Sequence, residues 1–125
     1  MNLIELEQSI RQWGVDRNIT AEGGATVQAQ ASKGLEEMAE MFQTLDRLHN
    51  AYNSHAHGVI HDKELGKLEM ELIPKLKDDI GDVVVCMIQA ARLAGTDLTE
   101  CLEQSWNDIK DRKGTMINGK FVKES

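Results

Sequence analysis

Aromatic side chains are scarce in this chain, at 4% of its 125 residues, whereas Leu, Ile, Val, Ala and Met are plentiful. That balance favours aliphatic helix packing over a β-sandwich. Cysteine is confined to Cys86 and Cys101, which is too few for a disulfide framework. Both fall on apolar helical stretches and read as buried free thiols, and such a setting raises a thiol pKa and argues against a catalytic nucleophile. Long apolar runs are missing. The longest, Val83 to Ile88, is far too short to cross a bilayer, and Met1-Asn2-Leu3-Ile4-Glu5 lacks the basic start and apolar core of a targeting signal. The expectation is a soluble, cytoplasmic protein with no membrane partner. Positive charge is outnumbered, 14 Lys and Arg against 21 Asp and Glu for a net charge of −7, which argues against nonspecific nucleic-acid binding. The length suits a single domain over residues 1–125.

Several chemical signatures are absent as well. Gly23-Gly24 is not followed by the Gly-Lys-Ser/Thr of a phosphate-binding loop. No Glu-x-x-His occurs, which argues against a di-iron bundle. Ser9, Ser32, Ser54 and Ser105 lack a nucleophile-elbow context. The four histidines lie in or beside one polar stretch, and His55-x-His57 reads as a solvated loop ahead of a soft-metal site.

What the chain does carry is helical periodicity. Leu3, Leu6, Ile10 and Trp13 step by 3, 4 and 3, with Gly14 expected to end that helix. Residues 15–25 read as a loop around Gly23-Gly24. Val27, Ala31, Leu35, Met38, Phe42, Leu45 and Leu48 define a long amphipathic helix over roughly residues 26–50, followed by a connection over 51–62. Helical composition resumes near Asp62, and Pro74 is expected to break or kink it before a strong segment over 75–94. Asp97-Leu98-Thr99-Glu100 resembles a capping box and opens a last helix through Leu98, Leu102, Ser105 and Ile109. Asn118-Gly119 between apolar pairs predicts a type I′ hairpin. The fold expected is all-α, a four-helix bundle with a small C-terminal hairpin.

Two acidic pairs stand out on these helices. Glu37-Met38-Ala39-Glu40 and Asp79-Ile80-Gly81-Asp82 each hold carboxylates three residues apart, and hence on one helix face. Opposed across two packed helices, they would gather four carboxylates and call for a hard cation such as Mg²⁺ or Mn²⁺, which completes its shell with water and substrate phosphates. Gly81 inside the second pair would allow the helices to approach closely. The plainer reading of each pair is a solvated helix face. Lys33 and Lys75, each four residues before an acid, are ordinary helix partners that fit that reading. The basic residues Lys110, Arg112 and Lys113 either offset a helix dipole or reach polyphosphate oxygens. Trp13 and Trp106 are expected in the core, with Trp13 the better candidate for stacking on a base because it sits next to a loop.

At this point the residues resemble a family. The segment Gln30-Ala31-Ser32-Lys33-Gly34-Leu35-Glu36-Glu37-Met38-Ala39-Glu40 resembles the second-helix motif of the MazG-like nucleotide pyrophosphohydrolases. Asp78-Asp79-Ile80-Gly81-Asp82-Val83-Val84-Val85 resembles their ExxD helix, with Asp79 where the family usually has Glu, one methylene longer. The stretch from Asn107 to Lys123 is similar to the C-terminal segment of single-domain members, and Gln12 to Asn18 fits their opening. The resemblance implies an all-α NTP pyrophosphatase fold, assembled as a homodimer or homotetramer. It implies Mg²⁺-dependent hydrolysis, with Mn²⁺ as a substitute, of a nucleoside triphosphate, often a deoxynucleotide, to the monophosphate and pyrophosphate. On that resemblance Glu37, Glu40, Asp79 and Asp82 would be the metal ligands, and Glu36 or Glu37 would help deprotonate the attacking water. Trp13, Gln30, Lys33, Asn107, Lys110 and Arg112 would contact the substrate. The alternative is a non-catalytic helical module that binds a nucleotide or a protein, which the departure at Asp79 leaves open.

Overall fold

The computed structural model describes residues 1–124. It contains helix α1 (Leu3–Asp16), α2 (Val27–Ala56), α3 (Asp62–Leu93) and α4 (Leu98–Ile109), then strands β1 (Gly114–Ile117) and β2 (Lys120–Lys123). The all-α class, the four helices and the terminal hairpin are those expected from the sequence. Three helices open on side-chain caps, which satisfy backbone donors that have no intrahelical partner. Asn2 accepts from the Glu5 amide, Thr26 from Ala29 and Asp97 from Glu100. In the hairpin, Asn118 and Gly119 take φ of 51° and 78°, the two positive values that a type I′ turn requires. The antiparallel register pairs Ile117 with Lys120 and Gly114 with Lys123. No described helix is long and apolar enough to cross a membrane.

The frame is the antiparallel pair of α2 and α3. Side-chain bonds follow its length, from Thr44–Asp79 through Arg47–Glu71 and Tyr52–Glu69 to His55–Asp62 beside the connection. Leu48 and Ala51 on α2 and Leu72, Cys86 and Ala90 on α3 are buried. Close approach occurs at Gly34, where an added Cβ would lie 2.6 Å from Met87 Cε and 3.4 Å from Cys86 Cβ. Gly81, expected in that role, has nothing within 4 Å of its missing Cβ.

Several helix ends differ from expectation. Gly14 does not end α1 but lies buried within it, two residues before its last. A Cβ there would fall 2.6 Å from Gln89 Nε2, so the glycine admits a buried amide in place of ending a helix. α2 continues to Ala56 and takes up the first half of the stretch read as a connection, supported by the cross-helix bonds of Tyr52 and His55. Pro74 lies inside α3 and does not break it. The carbonyl that loses its partner to proline is four residues back, on Met70, whose residue is largely exposed so that water can reach it.

The other two helices attach to this pair unequally. α1 lies on α3, where Gln89 Nε2 donates to the Ile10 carbonyl at 2.7 Å and Arg92 bonds the Gln89 Oε1 and the Ile19 carbonyl. α1 also holds the start of α4. The buried Glu7 accepts from the Leu98 amide at 2.8 Å, and Arg11 donates to the Thr96 carbonyl at 2.9 Å. Beyond that anchor α4 buries no residue, and Leu102, Trp106 and Ile109 are exposed. Trp106, expected in the core, is 59% exposed, and Cys101, expected to be buried, is exposed, whereas Cys86 is buried as expected.

Candidate functional site

The first acidic motif lies on α2 and the second on α3, and the register of the two helices places them side by side. A pocket of about 360 Å³ opens there, lined by Trp13, Ile19, Gln30, Lys33, Glu37, Asp82, Val85, Cys86 and Gln89. Glu37 and Asp82 are half-buried, so a carboxylate from each helix faces the same space. A second, largely apolar hollow lies between α1 and α3, and Asp82 and Val85 line both. Trp13 is not a core residue. It stands nearly half exposed on the pocket wall, with the Arg17 guanidinium 5.8 Å from its ring centroid. Gln89 is 1% exposed and held at both ends by Ile10 and Arg92.

The four acids are not equivalent. Glu37 pairs with Lys33 at 3.4 Å, and Lys33 also reaches Glu36 at 3.2 Å. The hydrogen bond to Glu36, then that to Glu37, raises the Lys33 pKa and keeps it charged. Glu36 is exposed, and neither it nor Glu40 lines the pocket. Asp79 is 3% exposed and its carboxylate is occupied: Oδ2 accepts from Thr44 Oγ1 at 2.5 Å, and Lys75 Nζ lies 3.2 Å from Oδ1. The Thr44 bond holds the Asp79 carboxyl below the ordinary range, and Lys75 acts in the same direction against the opposing effect of burial. Asp82 is shifted the other way. Loss of solvent pushes its carboxyl up, and the charges of Asp78, Glu37 and Asp79 push it further. Burial, then the Glu37 charge, also raises the Cys86 thiol, which stays protonated on the pocket wall.

Among the described residues no group of three or more His, Cys, Asp or Glu side chains is gathered that could hold a metal ion; the pocket brings together two carboxylates, Glu37 and Asp82. The structure brings Trp13, Gln30, Lys33, Glu37 and Asp82 together and keeps Glu36, Glu40 and Asp79 outside the pocket. Asn107 and Lys110 are exposed on and just beyond α4. Arg112 lines a separate hollow with Asp108, Asp111 and Lys113, so within one chain these cations do not reach the acids. Thr44, which decides how Asp79 behaves, was missed by the sequence reading. Its signal was an isolated hydroxyl on the inward stripe of α2, between the apolar Met41 and Leu48. No family model, no curated protein and no solved structure matches the chain.

Proposed function

We propose that this protein hydrolyses a nucleoside triphosphate, a deoxynucleotide for preference, to the monophosphate and pyrophosphate. The observation that carries the reading is the single pocket in which Trp13, Gln30, Lys33, Glu37 and Asp82 meet. An aromatic face suits a base, an amide suits a base or sugar edge, an ammonium suits phosphate, and paired carboxylates suit a hard cation. The donor set fits one Mg²⁺ or Mn²⁺ ion, because Mg²⁺ is commonly held by one or two carboxylates and completes its shell with water and phosphate oxygens. Glu37 and Asp82 would hold it. Such an ion, when bound, screens phosphate charge and lowers the pKa of a coordinated water.

The chain's own groups supply the rest. Glu37 accepts a proton from water that attacks the α-phosphorus, while the bridging oxygen leaves with pyrophosphate. Lys33 swings from Glu36 and Glu37 to offset charge on the phosphates, a move open to a long, half-exposed side chain. Glu36 acts through Lys33, which it orients and keeps charged. The experiment is a panel of common NTPs and dNTPs with and without Mg²⁺, with the products separated by chromatography. Metal-dependent monophosphate plus pyrophosphate is expected. Diphosphate plus orthophosphate would overturn the choice of bond. Binding with no turnover on any nucleotide would leave the same pocket as that of a non-catalytic nucleotide-binding module.

We also infer a homodimer or homotetramer. Leu35, Met38, Phe42 and Leu45 step by 3, 4 and 3 along α2, and Ile73, Leu76, Ile80, Val83 and Met87 step by 3, 4, 3 and 4 along α3. Leu35 is 69% and Phe42 55% exposed, and Ile80 and Met87 are also exposed, an apolar seam of the kind a second helical pair covers. α4, with its exposed Leu102, Trp106 and Ile109, offers a further surface for assembly. Sedimentation equilibrium at micromolar concentration should give a multiple of the 14.0 kDa chain mass, and a monomer mass would remove this part of the reading.

A further inference from the structure

The two acids of the second motif face different partners. Asp82 lines the pocket, whereas Asp79 points into the contact between α2 and α3. Its two oxygens meet three hydrogen bonds, one from Thr44 Oγ1 at 2.5 Å and two from Lys75 Nζ at 3.2 and 3.4 Å. Thr44 and Asp79 are both buried, while the Lys75 side chain is half exposed. A buried carboxylate is costly unless it is paired and hydrogen-bonded. Here an ammonium one helical turn back supplies the charge, and a hydroxyl from the facing helix supplies the bond. A divalent ion at this corner would have to displace that ammonium and compete with Thr44 for the same oxygen. The shortness of aspartate matters too, because its oxygens end inside the helix pair instead of reaching the pocket. Lys33 beside Glu37 differs, since it is shared with an exposed acid and is free to leave.

We propose that Lys75 is the resident cation of this corner, that Asp79 and Thr44 form a clamp positioning α3 against α2, and that the pocket accordingly takes a single divalent ion between Glu37 and Asp82. The proposal rests on the reading of the pocket as a metal site but not on any turnover by it. Asp79 is then a positioning residue, and Lys75 occupies space that a second ion would otherwise fill.

The test counts Mn²⁺ bound per chain by electron paramagnetic resonance, without nucleotide, for the natural chain and for Asp79→Asn, Asp82→Asn and Lys75→Met. The natural chain is expected to bind one ion. Asp79→Asn should leave that affinity unchanged while lowering the thermal midpoint in chelator. Asp82→Asn should weaken binding at least about tenfold. Lys75→Met leaves the buried Asp79 carboxylate without its cation and lowers stability in chelator; in Mn²⁺ it should open the corner to a second ion and raise the count to two. Two ions in the natural chain, an Asp79→Asn loss as large as that of Asp82→Asn, or a count of one in Lys75→Met would each overturn the proposal. Should either variant of this corner fail to fold, the count in the natural chain still decides, since two ions there overturn the proposal. A chain that binds one ion in this pattern yet hydrolyses no nucleotide keeps the proposal and removes the hydrolase reading. Absence of Mn²⁺ binding in the natural chain overturns the proposal and the metal site together.

Discussion

Gly14→Ala is expected to destabilise the protein by about 2–4 kcal/mol, read as a fall in the midpoint of urea denaturation with an unchanged slope. In an ordinary helix interior the same change would stabilise by about 1 kcal/mol, because alanine is the better helix former. Here the added Cβ would sit 2.6 Å from Gln89 Nε2 and closer still to its Oε1. A flexible side chain could swing aside, but Gln89 is 1% exposed and committed at both ends, to the Ile10 carbonyl and to Arg92. Moving it strands a buried donor or acceptor, at about 1–3 kcal/mol, on top of about 1–3 kcal/mol of overpacking. Two comparisons isolate the cause. Gly66→Ala on α3, where nothing lies within 4 Å of the added atom, should stabilise slightly. Gly14→Ala made in a Gln89→Ala background should cost little, because the clash is gone, and a double-mutant cycle will show that non-additivity. Equal losses in both backgrounds would mean that Gly14 is required for its backbone and not for the space it leaves.

The same residue shows how far the chain could be read by pattern. Periodicity located all four helices because an inward apolar stripe is a local property, and the cap expected at Asp97 is a short-range bond; the caps at Asn2 and Thr26 are equally local but were not singled out. Asn118-Gly119 predicted its turn for the same reason, since only two residues decide it. Features that depended on a neighbouring helix were not legible in this way. Gly14 looks like a terminator until Gln89, 75 positions later, is placed against it. The polar end of α2 looks like a loop until Tyr52 and His55 find Glu69 and Asp62. Trp13 and Trp106 look like core residues because their rings are large, yet one lines a pocket and the other sits on a helix that buries none of its residues. For the site, spacing alone marked the four acids. It could not show which of them were already spent. Lys75 was visible as an i−4 neighbour of Asp79, but Thr44 enters only through packing, and together they separate Asp79 from Asp82.

Asp82→Asn should move activity and stability in opposite directions. Turnover in the nucleotide panel is expected to fall at least about 100-fold, because on the proposed function the variant removes one of the two carboxylates that would hold the ion, in a pocket where a fixed charge acts more strongly than it would in water. The metal-free protein should at the same time melt at a higher temperature at neutral pH. Burial, then the charges of Asp78, Glu37 and Asp79, raises the Asp82 carboxyl above its ordinary value of 3.8. A raised carboxyl means that the folded chain binds more protons than the unfolded chain between that value and the folded one, so its contribution to stability declines as pH rises through this interval. Above the interval the full penalty stands, and asparagine removes it. Below pH 3.8 both states hold the proton, and the advantage of the variant should vanish. Asp79 has the opposite sign, since Thr44 and Lys75 lower its carboxyl. Its contribution is complete above the ordinary value and is lost as pH falls through the depressed one. Comparing the pH dependence of the melting temperature for Asp82→Asn and Asp79→Asn in chelator therefore separates the two acids without any substrate. A variant at Asp82 that is inactive and less stable would make this carboxylate part of the scaffold. One that is more stable and fully active would remove it from the chemistry. Only the combination of lost turnover and gained stability fits a carboxylate kept, against its own electrostatic cost, for a cation that arrives with the substrate.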